Sequence, residues 1–452
     1  MIGLGIGLQI TLLLIGIFVA RAAITTARTP QGAAAWVVFL VSFPLLALPA
    51  FAVFGGVSRL SFGRAGHDVQ ALAKPEQGRL DSFANLAANS PTTGNTVKLL
   101  VDGQATFDAI FAAIDAAERE ILVQFYIIRS DAIGHSLKER LIQAARRGVK
   151  VRVLCDMIGS LFLGFSYVRE LQAEGIEIHG IPGPHRALGR VGVNFRNHRK
   201  AVVIDGSLGF TGGINVGQEY IDGGKKFDAW RDTHLSIKGP MVAQLRDIFA
   251  FDWEAVTGKK LPTLQSTAPS DAVGGQRGLM MGFGPTDRLE RGSLLLCGLV
   301  NLARHRLWIA TPYLVPHTDL LTALQLASLR GVEVRILIPE PFDNIIAWYA
   351  SRNAARSLKE AGIQVCAYQP GFMHSKVMLI DDDIASVGTV NLDIRSALIN
   401  FEQTALIEDQ AFAAEIAAML EEDFSKSHPV AIPGPWHVRL LAPVARLFGP
   451  LL

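Results

Sequence analysis

Residues 197–215 read NHRKAVVIDGSLGFTGGIN, and residues 373–391 read MHSKVMLIDDDIASVGTVN. Both fit H-x-K-x4-D-x6-G-[G/T]-x-N, which sets His198, Lys200, Asp205 and Asn215 against His374, Lys376, Asp381 and Asn391 at identical spacing. Side chains two apart on a strand share a face, so each pair predicts an imidazole and an ammonium side by side. The runs VVI and VML continue the strand, and Asp-Gly or Asp-Asp turns it. The chain then returns through Gly212-Gly213 or Gly388-Thr389, where a missing side chain lets Asn215 or Asn391 come back beside its His and Lys. Each unit offers a nucleophile or acid, a fixed positive charge and an amide donor around one point. Two units facing each other would surround a phosphodiester. A lone strand histidine is usually a satisfied structural group; the doubling at matched positions is what points to chemistry. Asp205 and Asp381 belong to the shared pattern, and within it they read as turn residues, since the chemistry does not need them as acids.

The repetition extends outward. FDAIFAAIDAAEREILVQFYII, LKERLIQAARRGVKVRVLCD and VRELQAEGIEIHG in the first copy answer to GSLLLCGLVNLARHRLWIATPYLV, LLTALQLASLRGVEVRILIPE and ARSLKEAGIQVCAY in the second. Each is a helix with apolar residues at i, i+3 and i+4 followed by a β-rich apolar run. Tyr126 matches Tyr313, Gly148 matches Gly331, and Gly175 matches Gly362; the last two pairs fit helix C-caps leading into buried strands. A duplicated α/β unit of two mixed-sheet halves, with helices covering both faces, is the expected fold. The expected boundaries are a first half over 97–262 and a second over 263–430.

Downstream of each motif lies a candidate orienter for that copy's imidazole, Asp232 in WRDTHL for the first and Glu402 in NFEQ for the second. A carboxylate accepting from Nδ1–H fixes the tautomer and raises the basicity of the other nitrogen. Arg186, Arg190, Arg196 and Arg199 precede the first motif, either as a solvated loop or as a funnel for anionic headgroups.

Half the 452 residues are hydrophobic and 19% are charged, and the apolar excess sits at the front. Residues 2–20 and 33–55 carry no charge. Each is about the 20 residues that cross a bilayer as a helix, so residues 1–58 are expected to form a two-helix transmembrane hairpin. Arg21 and Arg28 lie between the runs, and Arg59, Arg64 and Lys74 follow them; the positive-inside rule leans towards a cytoplasmic catalytic domain. Residues 59–96 read as a juxtamembrane linker. The tail 431–452 contains WHVRLLAPVARLFGPLL, either an interfacial amphipathic segment or a helix packed on the core and kinked at Pro443. A net charge of +2 disfavours nucleic acid as the main partner. Cys155, Cys297 and Cys366 are scattered, with no disulfide framework or zinc spacing. No cofactor or metal is expected.

The paired H-x-K-x4-D segments resemble the signature of the phospholipase D superfamily. The strings NFRNHRKAVVIDG, GGIN, WRDTHL, TPYLVP, YQPGFMHSKVMLIDD and NLDIRSALINFE are similar to those of bacterial cardiolipin synthases, over nearly the whole chain. Thr389 stands where the family's second copy often has Ser, which retains the hydroxyl. The presence of Asp205 and Asp381 argues against the tyrosyl-DNA phosphodiesterase branch. The resemblance implies phosphatidyl transfer in a bacterial plasma membrane: two phosphatidylglycerols give cardiolipin and glycerol. On the same analogy His198 is the nucleophile, His374 the acid and base, and the two Lys and two Asn bind the non-bridging oxygens. The alternatives are a hydrolase of the same superfamily, a nuclease, and an inactive anionic-lipid-binding scaffold.

Overall fold

The computed structural model describes residues 2–27, 30–54, 78–181, 195–262 and 274–451. The chain divides into two units, residues 1–66 with 182–195, and residues 67–181 with 196–452. In the first unit lie helices α1 (Ile2–Thr26), α2 (Pro30–Ser42) and α3 (Pro44–Phe54). The second apolar run is therefore two helices and not the single one expected. Pro44 has no N–H to continue the helix ladder, and its fixed φ suits the first position of α3 instead. Gly16 lets α1 approach α2 closely: a Cβ there would lie 2.6 Å from the Leu40 carbonyl oxygen. Ala20, Ala23, Leu40, Ala47 and Phe51 bury a small core, while Leu14, Phe18, Val38, Leu45 and Leu46 point outward and exposed. Side chains of α1 are described from Thr11 on, and among the described residues no helix is long and apolar enough to cross a membrane.

The second unit is a duplicated, mixed-sheet α/β structure. The first half supplies β1 (Thr92–Val101), β2 (Glu120–Phe125), β3 (Lys150–Asp156), β4 (Glu177–Ile181), β5 (Ala201–Ile204), β6 (Leu208–Gly212), β7 (Trp230–Arg231) and β8 (Thr233–Lys238). The second supplies β9 (Gln276–Phe283), β10 (Arg306–Ala310), β11 (Leu314–Val315), β12 (Glu333–Pro339), β13 (Gln364–Tyr368), β14 (Phe372–Met373), β15 (Val377–Ile380), β16 (Ile384–Gly388), β17 (Leu392–Asp393), β18 (Glu402–Glu408) and β19 (Ser427–Pro429). Strand β1 begins inside the stretch read as linker. Residues 78–87 before it are also built in, with Leu80, Phe83 and Ala87 buried; residues 55–77 lie outside the described ones.

Fifteen strands run in the order β19-β13-β12-β10-β15-β16-β18-β9-β1-β8-β6-β5-β2-β3-β4. Reading outward from the β9–β1 junction, β18 answers to β8, β16 to β6, β15 to β5, β10 to β2, β12 to β3 and β13 to β4. The two halves are pseudo-two-fold related about that junction, where Thr92 pairs with Gly278 and Asn95 with Gln276. The parallel runs are β2-β3-β4 in the first half and β10-β12-β13 in the second, where β19 adds an antiparallel edge strand; the inner strands of both halves are antiparallel. Parallel strands need helical crossovers, and Gly148 and Gly331 end two of these helices at φ +93° and +91°, as the matched glycines predict. Helices Met241–Thr257 and Gln410–Ser425 pack Leu245, Phe249, Trp253, Phe412, Ile416 and Phe424 into one core shared by both halves. Helices Asp102–Asp115, Ala132–Arg146 and Phe165–Ala173 cover the opposite face of the first half.

Candidate active site

The carboxyl ends of the parallel strands, where open α/β sheets place their ligand crevices, open into a cavity of about 1050 Å³. His198, Asn215, His374 and Asn391 all line it, with Tyr126 and Tyr313 from the ends of β2 and β10. The halves thus bring both motifs to one space.

Each histidine sits just before its strand, β5 or β15, on a segment that crosses to the other half. His198 N–H donates to the Phe401 carbonyl at 2.9 Å, and His374 N–H to the Arg231 carbonyl at 2.7 Å. The preceding β14 pairs in parallel with β7 of the first half, and Asn197 bridges to Phe401 of the second. The orienters are consequently exchanged relative to the sequence expectation. His198 Nδ1 donates to Glu402 at 2.9 Å, and His374 Nδ1 donates to Asp232 at 2.6 Å. Each imidazole is aimed by the half it does not belong to, because the backbone pairing carries it there. Glu402 is fully buried and also accepts from the Thr389 hydroxyl at 2.5 Å and Asn400 Nδ2 at 3.1 Å. Asp232 accepts from Thr233 N–H at 2.7 Å and lies over Gly213, where a Cβ would be 2.0 Å from Oδ1. Aromatic rings set the other sides: Tyr126 stands edge-on to His198 at 5.2 Å, and Trp230 lies 5.4 Å from His374.

Lys200 Nζ donates to the His198 carbonyl at 2.7 Å, and Lys376 Nζ to that of His374, so each ammonium keeps hydrogens for a ligand. Burial lowers Lys200 to about 7, helped by the Lys376 charge. Burial likewise lowers Lys376 to about 8, against the pull of Asp232 and Glu402. Burial and Lys376 together push His374 down to about 3, and burial lowers His198 as well. Burial would raise the Asp232 and Glu402 carboxyls, but Lys376 and His374 for the one, and His198 and Lys200 for the other, hold both below their usual range. This is a cluster of neutral imidazoles and ionised carboxylates under two ammoniums of lowered pKa. It is suited to receive an anion.

Asn215 Nδ2 donates to the Tyr220 hydroxyl at 2.7 Å, and its Oδ1 accepts from Ile127 N–H at 3.2 Å. Asn391 Nδ2 donates to Asp393 at 3.0 Å; burial raises that carboxyl to about 6. Asp205 and Asp381 do not line the cavity. Both adopt left-handed backbone (φ +52° and +53°), and both collect backbone N–H groups. Asp205 accepts from Glu118, Arg119 and Glu120, and Asp381 from Arg304, His305 and Arg306. Arg79 adds a 2.6 Å ion pair to Asp381. They lock the strand turns that carry the motif and stand outside the reacting set. Arg199 is likewise no funnel: it is buried, bonded to Asp252 at 2.6 Å and to the Phe283 carbonyl. Arg196 does line the cavity, and Arg186 and Arg190 lie outside the described residues. Tyr220, Asn400 and Asp393 complete the site beyond the sequence expectation. The only signal for them was proximity to motif residues.

Comparison with known proteins gives this geometry its context. Residues 110–253 and 296–425 match the family model described as cardiolipin synthase, PLD-like domain. Cardiolipin synthase A of Pseudomonas putida is 39% identical over 97% of this chain and 96% of its own length. Cardiolipin synthase A of Pseudomonas aeruginosa is 41% identical over 99% and 95%. Among solved structures, phosphatidylserine synthase of Haemophilus influenzae shares the fold at TM-score 0.61 and 16% identity, covering 83% of this chain and all of that one. Polyphosphate kinase of Porphyromonas gingivalis does so at TM-score 0.51 and 14% identity, covering 80% and 52%. With both half-site motifs inside the matched segments and near-complete coverage at about 40% identity, the chain belongs to the cardiolipin synthase family of PLD-like domains.

Proposed function

We propose that the chain is a cardiolipin synthase, a phosphatidyltransferase that joins two phosphatidylglycerols and releases glycerol. The near full-length likeness to proteins named cardiolipin synthase A carries this reading. The cavity volume of about 1050 Å³ supports it, being at the top of the range for single small-ligand sites and roomy enough for two glycerophosphate headgroups.

In the first half-reaction His198 Nε2 attacks phosphorus and the bond to the leaving glycerol oxygen breaks. His374 gives that oxygen its proton, and a phosphatidyl-histidine remains. In the second, His374 takes the proton from the acceptor hydroxyl, the new P–O bond forms and the P–N bond breaks. Glu402 and Asp232 hold the Nδ1–H tautomers, leaving each Nε2 to the chemistry. Lys200, Lys376, Asn215 and Asn391 stabilise the non-bridging oxygens as charge builds on them. The diester's own negative charge raises the His374 imidazole from its depressed value, so the acid is formed by substrate binding.

The apolar α1, α2 and α3, with their outward Leu and Phe side chains, serve as the anchor in a bacterial plasma membrane, the catalytic unit lying on the cytoplasmic side. The testing experiment reconstitutes the full chain with phosphatidylglycerol alone and follows cardiolipin, phosphatidic acid and glycerol together. One glycerol per cardiolipin is expected. Phosphatidic acid as the main product would replace the transferase by a hydrolase.

A further inference from the structure

Among the described residues the catalytic unit exposes large apolar side chains at several places, Leu289, Leu294, Leu326 and Leu329 among them, and two of these groups are fastened to elements that line the cavity. In the first half they are Leu161, Phe162 and Phe165, at 64%, 82% and 87% exposed, on the loop that leaves the carboxyl end of β3. Ser160 fastens this loop to the cavity wall: its hydroxyl accepts from Ile128 N–H at 3.0 Å and donates to the Tyr126 carbonyl at 3.1 Å. Gly159 packs so closely there that a Cβ would meet the Tyr126 carbonyl oxygen at 2.3 Å. The loop is thus held in place, with its aromatics turned to solvent.

In the second half helix Ile345–Lys359 starts at the cavity, where Asn344 and Ala347 line the wall. The C-terminal helix Trp436–Ala445 lies against it. Ala445 packs on Ala350, and the Tyr349 hydroxyl meets His437 Nδ1 at 3.1 Å. Val438, Ala442 and Ala445 are buried on one face; Trp436 and Leu440 stand out on the other, and Leu447 is exposed in the 3-10 turn Arg446–Leu451 that follows. Arg439 and Arg446, both exposed, interleave with them. The tail is therefore a packed helix with an apolar outer face.

Exposed apolar clusters of this size are uncommon on a soluble surface. A helix with Trp and Leu on one side and Arg beside them has the composition of a segment lying in a lipid interface, its arginines reaching back to phosphates. We propose that these two tips dip into an anionic bilayer on either side of the cavity mouth and set the mouth against the headgroup layer. The inference rests on the reading of the cavity as a lipid site. The occupant is a bilayer and not a second copy, because exposed Arg439 and Arg446 stand beside exposed Trp436 and Leu440, a pairing that suits anionic headgroups above acyl chains.

The full chain is reconstituted into phosphatidylcholine bilayers and offered phosphatidylglycerol either in the bilayer or as monomeric dihexanoyl phosphatidylglycerol from water. The triple variants Leu161→Ser/Phe162→Ser/Phe165→Ser and Trp436→Ser/Leu440→Ser/Leu447→Ser change only exposed side chains. Each is expected to lose roughly tenfold in rate on bilayer lipid and to stay within about twofold of wild type on the short-chain lipid. In parallel, brominated acyl chains should quench tryptophan emission more in the wild type than in Trp436→Phe. Equal loss on both substrates, no loss on either, or identical quenching of wild type and Trp436→Phe overturns the proposal. So does a dimer that the serine variants dissociate, without any quenching at Trp436. A wild type that makes no cardiolipin from either substrate refutes the functional reading instead, and the quenching comparison still decides the docking.

Discussion

His198 and His374 occupy matching positions of a repeated unit, yet the carboxylates behind them differ in length and in how they are held. Glu402 reaches His198 with an extra methylene and is braced by Thr389 and Asn400. Asp232 is shorter, sits 2.6 Å from His374, and occupies space that exists because position 213 has no side chain. The repeat conserves the outcome, a buried carboxylate on Nδ1, by two different packings. Duplication gives two sites of equal topology, and divergence at positions 213 and 389 makes them chemically unequal. That inequality gives the proposed two-step reaction a basis for assigning attack to one imidazole and proton transfer to the other.

The largest expected effect tests that division of labour. His198→Ala should abolish turnover and leave no lipid-phosphate label on the denatured protein. His374→Ala should fall by roughly 10²–10⁴ as a lost acid and base. A nitrophenyl phosphodiester, whose leaving group needs no proton, should restore the first half-reaction in His374→Ala alone. Rescue of His198→Ala instead would reverse the roles, and absence of label in the wild type would discard the double displacement.

Next in size is the exchange of orienters. Glu402→Gln and Asp232→Asn should each cost roughly 10²–10⁴ in kcat by losing the tautomer and the imidazolium's partner. The exchange itself is read from double variants. In the nitrophenyl first half-reaction His374→Ala should mask Asp232→Asn and leave Glu402→Gln its full effect, since coupled residues are non-additive. Masking of Glu402→Gln instead, with Asp232→Asn keeping its effect, would restore the within-copy pairing.

Position 213 follows. Gly213→Ala forces a methyl to within 2.0 Å of Asp232, so either the carboxylate or the β6 return has to move. About tenfold or more in kcat is expected to go with His374 misplacement. Thr389→Ser, which keeps the donor to Glu402, should be near neutral, whereas Thr389→Val should cost about tenfold; equal rates for the two would remove the hydroxyl from the argument.

The smallest effect is the pH profile. Lys200 and Lys376 are charged below their lowered values and neutral above them, so kcat/KM should fall as pH rises through about 7 to 8. Lys200→Met should remove the lower of the two steps. A rate that keeps rising to pH 9 would mean the ammoniums are not what binds the phosphate.

The sequence by itself determined the duplication, the alternation of helices and strands within each copy, the glycine C-caps, and the eight motif residues. These follow from periodicity and spacing, which are local and survive in one dimension. It also let Asp205 and Asp381 be read as turn residues, because an Asp before a Gly or a second Asp favours a turn. Tertiary structure decided which acid meets which imidazole. That depends on β14 pairing with β7 and on Asn197 bridging to Phe401, contacts between segments 142 and 204 residues apart that leave no spacing signal. Tertiary structure alone also set Arg199 inside the core rather than at a cationic mouth, because an arginine reads the same in sequence whether Asp252 or water stands beside it.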